Sequence, residues 1–502
     1  MINITKIFKT PKMKMPHSRK IDLWKGSDFV RIIFFFVLHT VILWALFLLG
    51  GLVNVDFDVS AFWDKLSSSG MASTVGYGTC AIISMSICVF MYFFFENRNF
   101  IKSGKNVNLI YIIFELSIVV NFLTGHYVSV YARPFALCGL LALGLVNRRA
   151  GVFMSAIITI LTLIFDVFAI GALSSGINAI APVFIGFTTS LIAVYVALES
   201  SRSRMRFLAT GAIISLITFV FAAFIEYDTF LSKEFWKIII YGAFSGMMAV
   251  VMDMAALPIF EWTFNLVTDF RLSELSNYNS KLLKRMYEEA PGTFTHCSYV
   301  AMLAEQCASA IGENAVLARA CALYHDVGKL EQPEFFTENQ KSKNLHNEIT
   351  PEVSVDIIRS HTKNGVKIIK KNRLPQIFAD VAEQHHGTMV IRYFYAQAQK
   401  FYENDLDAAK FSYPGPKPKT KIAAIIMIAD GAEAKARSLK DRSSAAVDQA
   451  VKEIIEERVN ADQFSDCDLT TFDIAVIRET LTKGITGIHH DRIAYPPLKI
   501  GK

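Results

Sequence analysis

Seven side chains in the later part of this 502-residue chain are of the kinds that hold divalent metal ions. They are His296, the adjacent pair His325-Asp326, His361, the pair His385-His386, and Asp430. Imidazoles and carboxylates are the ligands that first-row divalent metals accept in water-activating sites. Five His and two Asp suffice to hold two ions and leave positions open for a substrate. Such a centre implies hydrolysis, most often of a phosphate ester, because paired cations stabilise both the attacking and the departing oxygen.

Taken singly, none of these residues carries much information. The same chain holds His489-His490 in a polar tail, His346 in a polar loop, and His17, His39 and His126 in or near apolar sequence, all of which read as non-ligands. Placement is what separates the seven. His325-Asp326 ends an apolar helical run (AVLARACALYHDVGK) with Gly328 as a stop, and His385-His386 closes another run just before Gly387. At a helix end, adjacent side chains reach neighbouring metals and a carboxylate can bridge them. His296 is expected in the first turn of its helix, and Asp430 falls within IAAIIMIADGAEA, where a carboxylate among apolar residues needs a partner.

The elements that must position them are helices. Helical periods are visible near 293–311, 314–327, 350–371, 374–386, 390–404, 418–438, 445–459 and 470–483, with no alternating hairpin pattern to compete. This part is therefore expected to be all-α, with the Pro- and Lys-rich stretch 411–421 as a loop.

Upstream the chain changes character. Eight segments approach the ~20 apolar residues that cross a bilayer. They lie near 30–52, 74–95, 108–124, 130–147, 151–172, 178–198, 207–226 and 236–258, the third and fourth being short. Positive charge gathers in the N-terminal tail (Lys6, Lys9, Lys12, Lys14, Arg19, Lys20, Lys25) and after segments two, four and six (Arg98/Lys102/Lys105, Arg148/Arg149, Arg202/Arg204/Arg206). That distribution predicts a cytoplasmic N-terminus, eight crossings of the cell membrane and a cytoplasmic C-terminal domain. The formal net charge of +6 is partly this tail and these loops facing anionic lipid, so no nucleic-acid polymer is implied as partner. Glu115, Asp166 and Asp253 lie inside apolar segments, where ionisable groups either serve function or face neighbouring helices. The seven cysteines show no CxxC pairing, and those in a reducing compartment are not expected to form disulfides. Cys297, beside His296, reads as a core residue.

The resulting organisation is a basic tail (1–29), a transmembrane bundle (30–258), a helical connector (259–290), a metal-dependent hydrolase domain (291–485) and a C-terminal tail (486–502). In the connector, Leu272, Leu275, Leu282, Leu283 and Met286 recur at roughly helical spacing, which suits either a path for a signal or a spacer.

The order H…HD…H…HH…D resembles the HD-domain phosphohydrolase superfamily. The stretches APGTFTHCSYVAMLAE, YHDVGKLEQPEFFTENQ, EQHHGT and YPGPKPKTKIAAIIMIAD, with the connector TDFRLSELSNYNSKLLKRMYEEAPGT, resemble more closely the seven-transmembrane HD receptor family of PgpH-type cyclic-di-AMP phosphodiesterases. The resemblance implies that His296, His325, Asp326 and Asp430 hold one metal and that His361, His385 and His386 hold a second, with Asp326 bridging. It also implies hydrolysis of cyclic-di-AMP to the linear dinucleotide pApA. One departure stands out: where the family has a large extracellular domain between the first two crossings, this chain has only residues 53–73.

As chemistry, two cations would acidify a bridging water, and the resulting hydroxide would attack phosphorus in line with the departing 3′-oxygen. Two dications less two Asp and one hydroxide leave about one positive charge, which suits a phosphodiester. Lys329 would contact phosphate or serve as a helix C-terminal cation, and Lys417, Lys419 and Lys421 would do the same or remain solvated. His-rich ligation with carboxylates suits manganese or iron, and zinc, cobalt and nickel also accept it. A cyclic-di-GMP specialist is disfavoured, since HHGTMVIRYFY follows where HHExxDGxGYP is expected. A (p)ppGpp or other nucleotide phosphohydrolase, and a membrane receptor or transporter whose soluble domain only binds a nucleotide, remain the rival readings. The sequence is equally compatible with a monomer and a homodimer.

Overall fold

In hydrocarbon a peptide must satisfy its own polar backbone groups, and in the first half of the chain it does so by forming helices. The computed structural model describes residues 26–169, 177–200, 204–230, 232–340, 343–400 and 406–488. The basic tail, His17, Arg202, the ends of the segments expected at 151–172 and 390–404, and His489-His490 lie outside the described residues. The chain divides into two units at Leu266/Val267.

The first unit contains α1 (Gly26–Val53), the short α2 (Val59–Ser67), α3 (Ser69–Glu96), the four-residue α4 (Arg98–Ile101), α5 (Gly104–Tyr127), α6 (Ala136–Leu145), α7 (Arg148–Ala169), α8 (Ile177–Ser200), α9 (Arg204–Ile225) and α10 (Lys233–Phe264). Among the described residues six helices, α1, α3, α5, α7, α9 and α10, are long and apolar enough to cross a membrane. The third expected segment is longer than its apolar run suggests, because α5 begins with the polar Gly104, Lys105 and Asn106. The fourth is broken instead. Pro134 lacks an N–H, so a 3-10 turn at Val130–Ala132 precedes α6 rather than one continuous helix.

Two of the three intramembrane carboxylates are consumed by packing. Asp166 takes both terminal nitrogens of Arg133, at 2.5 and 2.6 Å, and Arg133 is fully buried. Glu115 lies 2.7 Å from Nδ1 of His39, whose ring stacks on Tyr111 and whose Nε2 faces Asn108 at 3.1 Å. Asp253 is buried with Oδ1 unpaired among the described residues. Breaking a buried pair strands one charge, at a cost of about 3–5 kcal/mol. Arg133→Met is therefore expected to lower the melting temperature of the detergent-solubilised protein, with Arg133→Met/Asp166→Asn regaining most of the loss. An unchanged melt for the single variant would refute the structural role of this pair.

The second unit is also helical: α11 (Asp269–Leu275), α12 (Lys281–Glu289), α13 (Pro291–Ala310), α14 (Ala315–Tyr324), α15 (Pro351–Lys371), α16 (Gln376–Gln384), α17 (Arg392–Ala398), α18 (Lys421–Arg437), α19 (Ser444–Asn460) and α20 (Thr471–Ile488). Among the described residues there is no β-strand, only an isolated antiparallel bridge between Val390 and Ser412. The whole is all-α, as its periodicity predicts. Side-chain oxygens of Asn314, Thr350, Thr420 and Ser443 cap α14, α15, α18 and α19.

The expected connector divides between the two units. Residues 259–264 continue α10, whereas Leu272, Leu282, Leu283 and Met286 are buried in the core of the second unit beside Cys297, Val300, Tyr324 and Ile428. The hydroxyl of Tyr324, the residue just before the His-Asp pair, donates to the Leu275 carbonyl at 2.7 Å. Helices α11 and α12 are thus part of the domain that carries the site. Cys297 is a buried free thiol in that core.

Candidate metal centre

Five helices and one tight turn bring the seven side chains together. His296 projects from the second turn of α13, one turn later than expected, because Pro291 already occupies the first helical position. His325 follows the last residue of α14, and Asp326 opens the 3-10 turn Val327–Glu331. His361 lies mid-way along α15, His385-His386 follow α16, and Asp430 lies in α18.

Asp326 stands at the centre. Its Oδ1 is 3.3 Å from Nε2 of His361 and 3.5 Å from Nε2 of His385, while its Oδ2 is 3.4 Å from Nε2 of His325 and 3.8 Å from Nε2 of His296. One carboxylate oxygen therefore faces each half of the cluster. Asp430 closes the other side, with Oδ1 2.9 Å from Nε2 of His296 and Oδ2 3.7 Å from Nδ1 of His386. Two groups of ligand-type atoms lie within 4.8 Å of one another: Asp326, His361, His385 and His386, and His296, His325 and Asp326.

The tautomers decide what this cluster lacks. His325, His361 and His385 each direct Nδ1 at the backbone carbonyl three residues earlier, at 2.7, 2.5 and 2.9 Å. A carbonyl only accepts, so Nδ1 carries the proton and Nε2 of a neutral ring presents a lone pair. The Nε2 atoms of all three converge on Asp326, and beside that carboxylate His325 is raised well above its usual range against the pull of burial, so its Nε2 takes a proton where no cation is bound. Nε2 of His361 and Nε2 of His385 are 3.3 Å apart, and Nε2 of His325 and Oδ1 of Asp326 are buried without a hydrogen-bond partner. Acceptor facing acceptor is repulsive, and buried orphans are costly. Cations resolve both, so the donor set fits divalent metal.

The charges follow the same logic. For Asp326, burial acts upward but the neighbouring Lys329 and His325 outweigh it, holding the carboxyl well below its usual range. Burial pushes His361 down to about 3 despite Asp326 nearby. For His296 burial acts downward too, but hydrogen bonds to Asp430 and Glu433 prevail and raise it to about 10. A proton there does the work that a cation would do.

Lys329 stands in the last turn of the 3-10 helix Val327–Glu331. Its ammonium lies 2.7 Å from Oδ2 of Asp326 and 2.8 Å from Glu338, and 5.0 Å over the ring of Phe336. It is committed to two carboxylates and clamps Asp326. Lys417 pairs with Asp462 and Lys421 with Asp473, away from the seven. His346 uses Nε2 on the Phe335 carbonyl at 2.7 Å, in keeping with a packing role.

Two participants escape a reading by residue type. Glu338 accepts from Thr293 as well as Lys329, while the adjacent Asn339 accepts from the N–H groups of Gly292 and Thr293 at the start of α13. Glu433 lies 2.7 Å from Nδ1 of His296 and is paired with Arg437. The spacing D-x-x-E in ADGAE puts Asp430 and Glu433 on one helical face, which is the signal that marks it. Tyr413 stacks on His386 with ring centroids 4.3 Å apart. Gly387 adopts φ +52°, letting the chain turn sharply after the His pair, and Gln463 Oε1 accepts from the next N–H, that of Thr388.

Residues 293–435 match the HD domain family, and residues 73–268 match the family described as 7TM receptor with intracellular HD hydrolase. The two matches fall almost wholly one in each unit of the chain. The matched membrane span holds seven apolar helices, α3 and α5–α10, and leaves α1 outside it. The chain is 39% identical over 321 residues to the cyclic-di-AMP phosphodiesterase PgpH of Listeria monocytogenes, covering 61% of this chain and 45% of that protein. To the cyclic-di-AMP phosphodiesterase PgpH of Bacillus subtilis it is 33% identical over 431 residues, 84% of this chain and 60% of that protein. It thus spans about half the length of these curated relatives. The crystal structure of the L. monocytogenes PgpH HD domain in complex with cyclic-di-AMP is 45% identical, covering 42% of this chain and all of that one with a TM-score of 0.41.

Proposed function

We propose that this chain is a membrane-anchored, metal-dependent phosphodiesterase that hydrolyses cyclic-di-AMP to pApA. The observation that carries the reading is the convergence of four imidazole Nε2 atoms on the two oxygens of Asp326, an arrangement that two divalent cations would complete. His296, His325, Asp326 and Asp430 would hold one ion, and His361, His385 and His386 the other, with Asp326 shared. Bound there, manganese or iron would supply Lewis acidity to a phosphate oxygen and a water acidic enough to attack at neutral pH. The chain's own groups do the rest. Lys329 holds Asp326 ionised and in place, the backbone carbonyls set three imidazole tautomers, and Tyr413 orients His386. His386 and Asp430 retain 21% and 13% of their side-chain exposure, so the phosphodiester reaches the centre from that side.

The choice of a cyclic dinucleotide follows the two PgpH relatives, which carry that activity by name. The positive loops after the second, fourth and sixth segments support a cytoplasmic N-terminus and a cytoplasmic hydrolase, the side on which a nucleotide second messenger is met.

The test uses the full chain in detergent. Metal content is measured, and cyclic-di-AMP, cyclic-di-GMP and ppGpp are assayed side by side with added manganese. The expected result is turnover of cyclic-di-AMP to pApA, lost on chelation and restored by manganese. Preferential turnover of either other nucleotide would overturn the substrate assignment. Undiminished turnover after complete metal removal would overturn the mechanism.

A further inference from the structure

The imidazoles of the centre are not supported alike. His325, His361 and His385 each rest Nδ1 on a backbone carbonyl of their own helical turn. His296 instead faces a carboxylate, with Nδ1 2.7 Å from Oε2 of Glu433. Glu433 is buried, one helical turn beyond Asp430 on α18, and its other oxygen is paired with Arg437. His386 meets Asp430 at 3.7 Å through its Nδ1, and Asp326 lies within 4.8 Å of the same ring's ligand atom.

We propose that Glu433 is a positioning residue that makes the His296–Asp430 side the tighter of two unequal cation sites, so that the ions load in order. The proposal rests on the ligand assignment above. An imidazole whose far N–H is held by a carboxylate has its tautomer and orientation set, and its ligating nitrogen becomes more basic. A backbone carbonyl fixes the tautomer but brings no charge. The anions are divided just as unevenly. Asp430 and Asp326 act directly on the His296 side with Glu433 behind them, whereas the other side has three neutral rings and a share of Asp326. At these separations the extra negative charge favours a dication on the first side. Arg437 holds Glu433 in the orientation that keeps Oε2 on the imidazole.

The experiment strips the full-length protein of metal in detergent and titrates it with manganese chloride. Free ion is read by electron paramagnetic resonance, and melting of the metal-free protein is recorded in parallel. Wild type is expected to show two classes of site. Glu433→Gln keeps the shape but loses the charge, and should weaken the tighter class by about 10-fold or more while leaving the weaker one in place. Arg437→Met, which leaves Glu433 against His296, should shift the same class by less, and it carries the test if Glu433→Gln fails to fold. Equal weakening of both classes, weakening of the looser class alone, or no change in either variant would overturn the proposal. A wild-type protein that takes up no manganese would instead overturn the ligand assignment beneath it.

Discussion

Asp326→Asn should reduce turnover of cyclic-di-AMP by at least about 10³-fold, equivalent to about 4 kcal/mol of activation barrier. The substitution changes almost no volume, so the loss isolates charge. In the native site Oδ1 faces His361 and His385, Oδ2 faces His325 and His296, and Lys329 holds Oδ2 at 2.7 Å. An amide at this position leaves four imidazoles without the anion they share, and turns an N–H₂ towards nitrogen atoms or towards Lys329. In the proposed centre both ions would lose a ligand at once. Metal analysis and steady-state assay of the same preparation check the prediction, with melting of the metal-free variant as the control for folding. Turnover within about tenfold of wild type would show that Asp326 is not shared between cations.

Gly328→Ala should destabilise the second unit by about 3 kcal/mol, at the upper end of the usual cost of overpacking. Gly328 sits in the 3-10 turn directly after His325-Asp326, against α15. A Cβ there would lie 1.9 Å from the carbonyl oxygen of His361 and 2.5 Å from the backbone N of Gly365. Those are backbone atoms and cannot rotate away. The turn and α15 must separate, and that movement pulls Asp326 from His361. For a unit of this size the cost corresponds to a melting shift of about 10 °C. Calorimetry or far-ultraviolet circular dichroism of the variant checks it, and a shift below about 2 °C would mean that the turn and α15 are not in close contact. Metal affinity should fall with stability, because the same contact sets both.

Much of this was open to reading along the chain. The helices of the second unit follow from apolar periodicity, and their ends fall where Gly, Pro and Ser/Thr/Asn caps stand. The ligand-type residues could be picked out in combination, because the His325-Asp326 and His385-His386 pairs close apolar helical runs and Asp430 falls within one, placements that packing explains poorly. What the chain conceals is pairing. Asp166 in α7 and Arg133 before α6 are far apart in sequence, so a carboxylate that could have been a ligand site is neutralised by a contact no local pattern encodes. The connector's leucines showed an apolar face but not what it meets, which proved to be the core of the second unit. Pro134 marked a break that hydropathy averages away.

Lys329 makes the same point at the site itself. Its position in sequence suggested a phosphate contact or a helix C-terminal cation, and folding adds two partners that the chain does not display, Asp326 and Glu338. Sequence alone determined the chemistry on offer: imidazoles and carboxylates of the kinds that hold divalent cations, on a helical domain that follows a multi-pass bundle. Residue type and helical period are local properties, and those are what a chain displays. Tertiary structure decided the electrostatics, namely which ring proton meets a carbonyl, which meets Glu433, and that Asp326 turns one oxygen to each half. Those depend on distances of a few ångströms between helices far apart in the chain, and charge–charge energies inside a protein change severalfold over such distances.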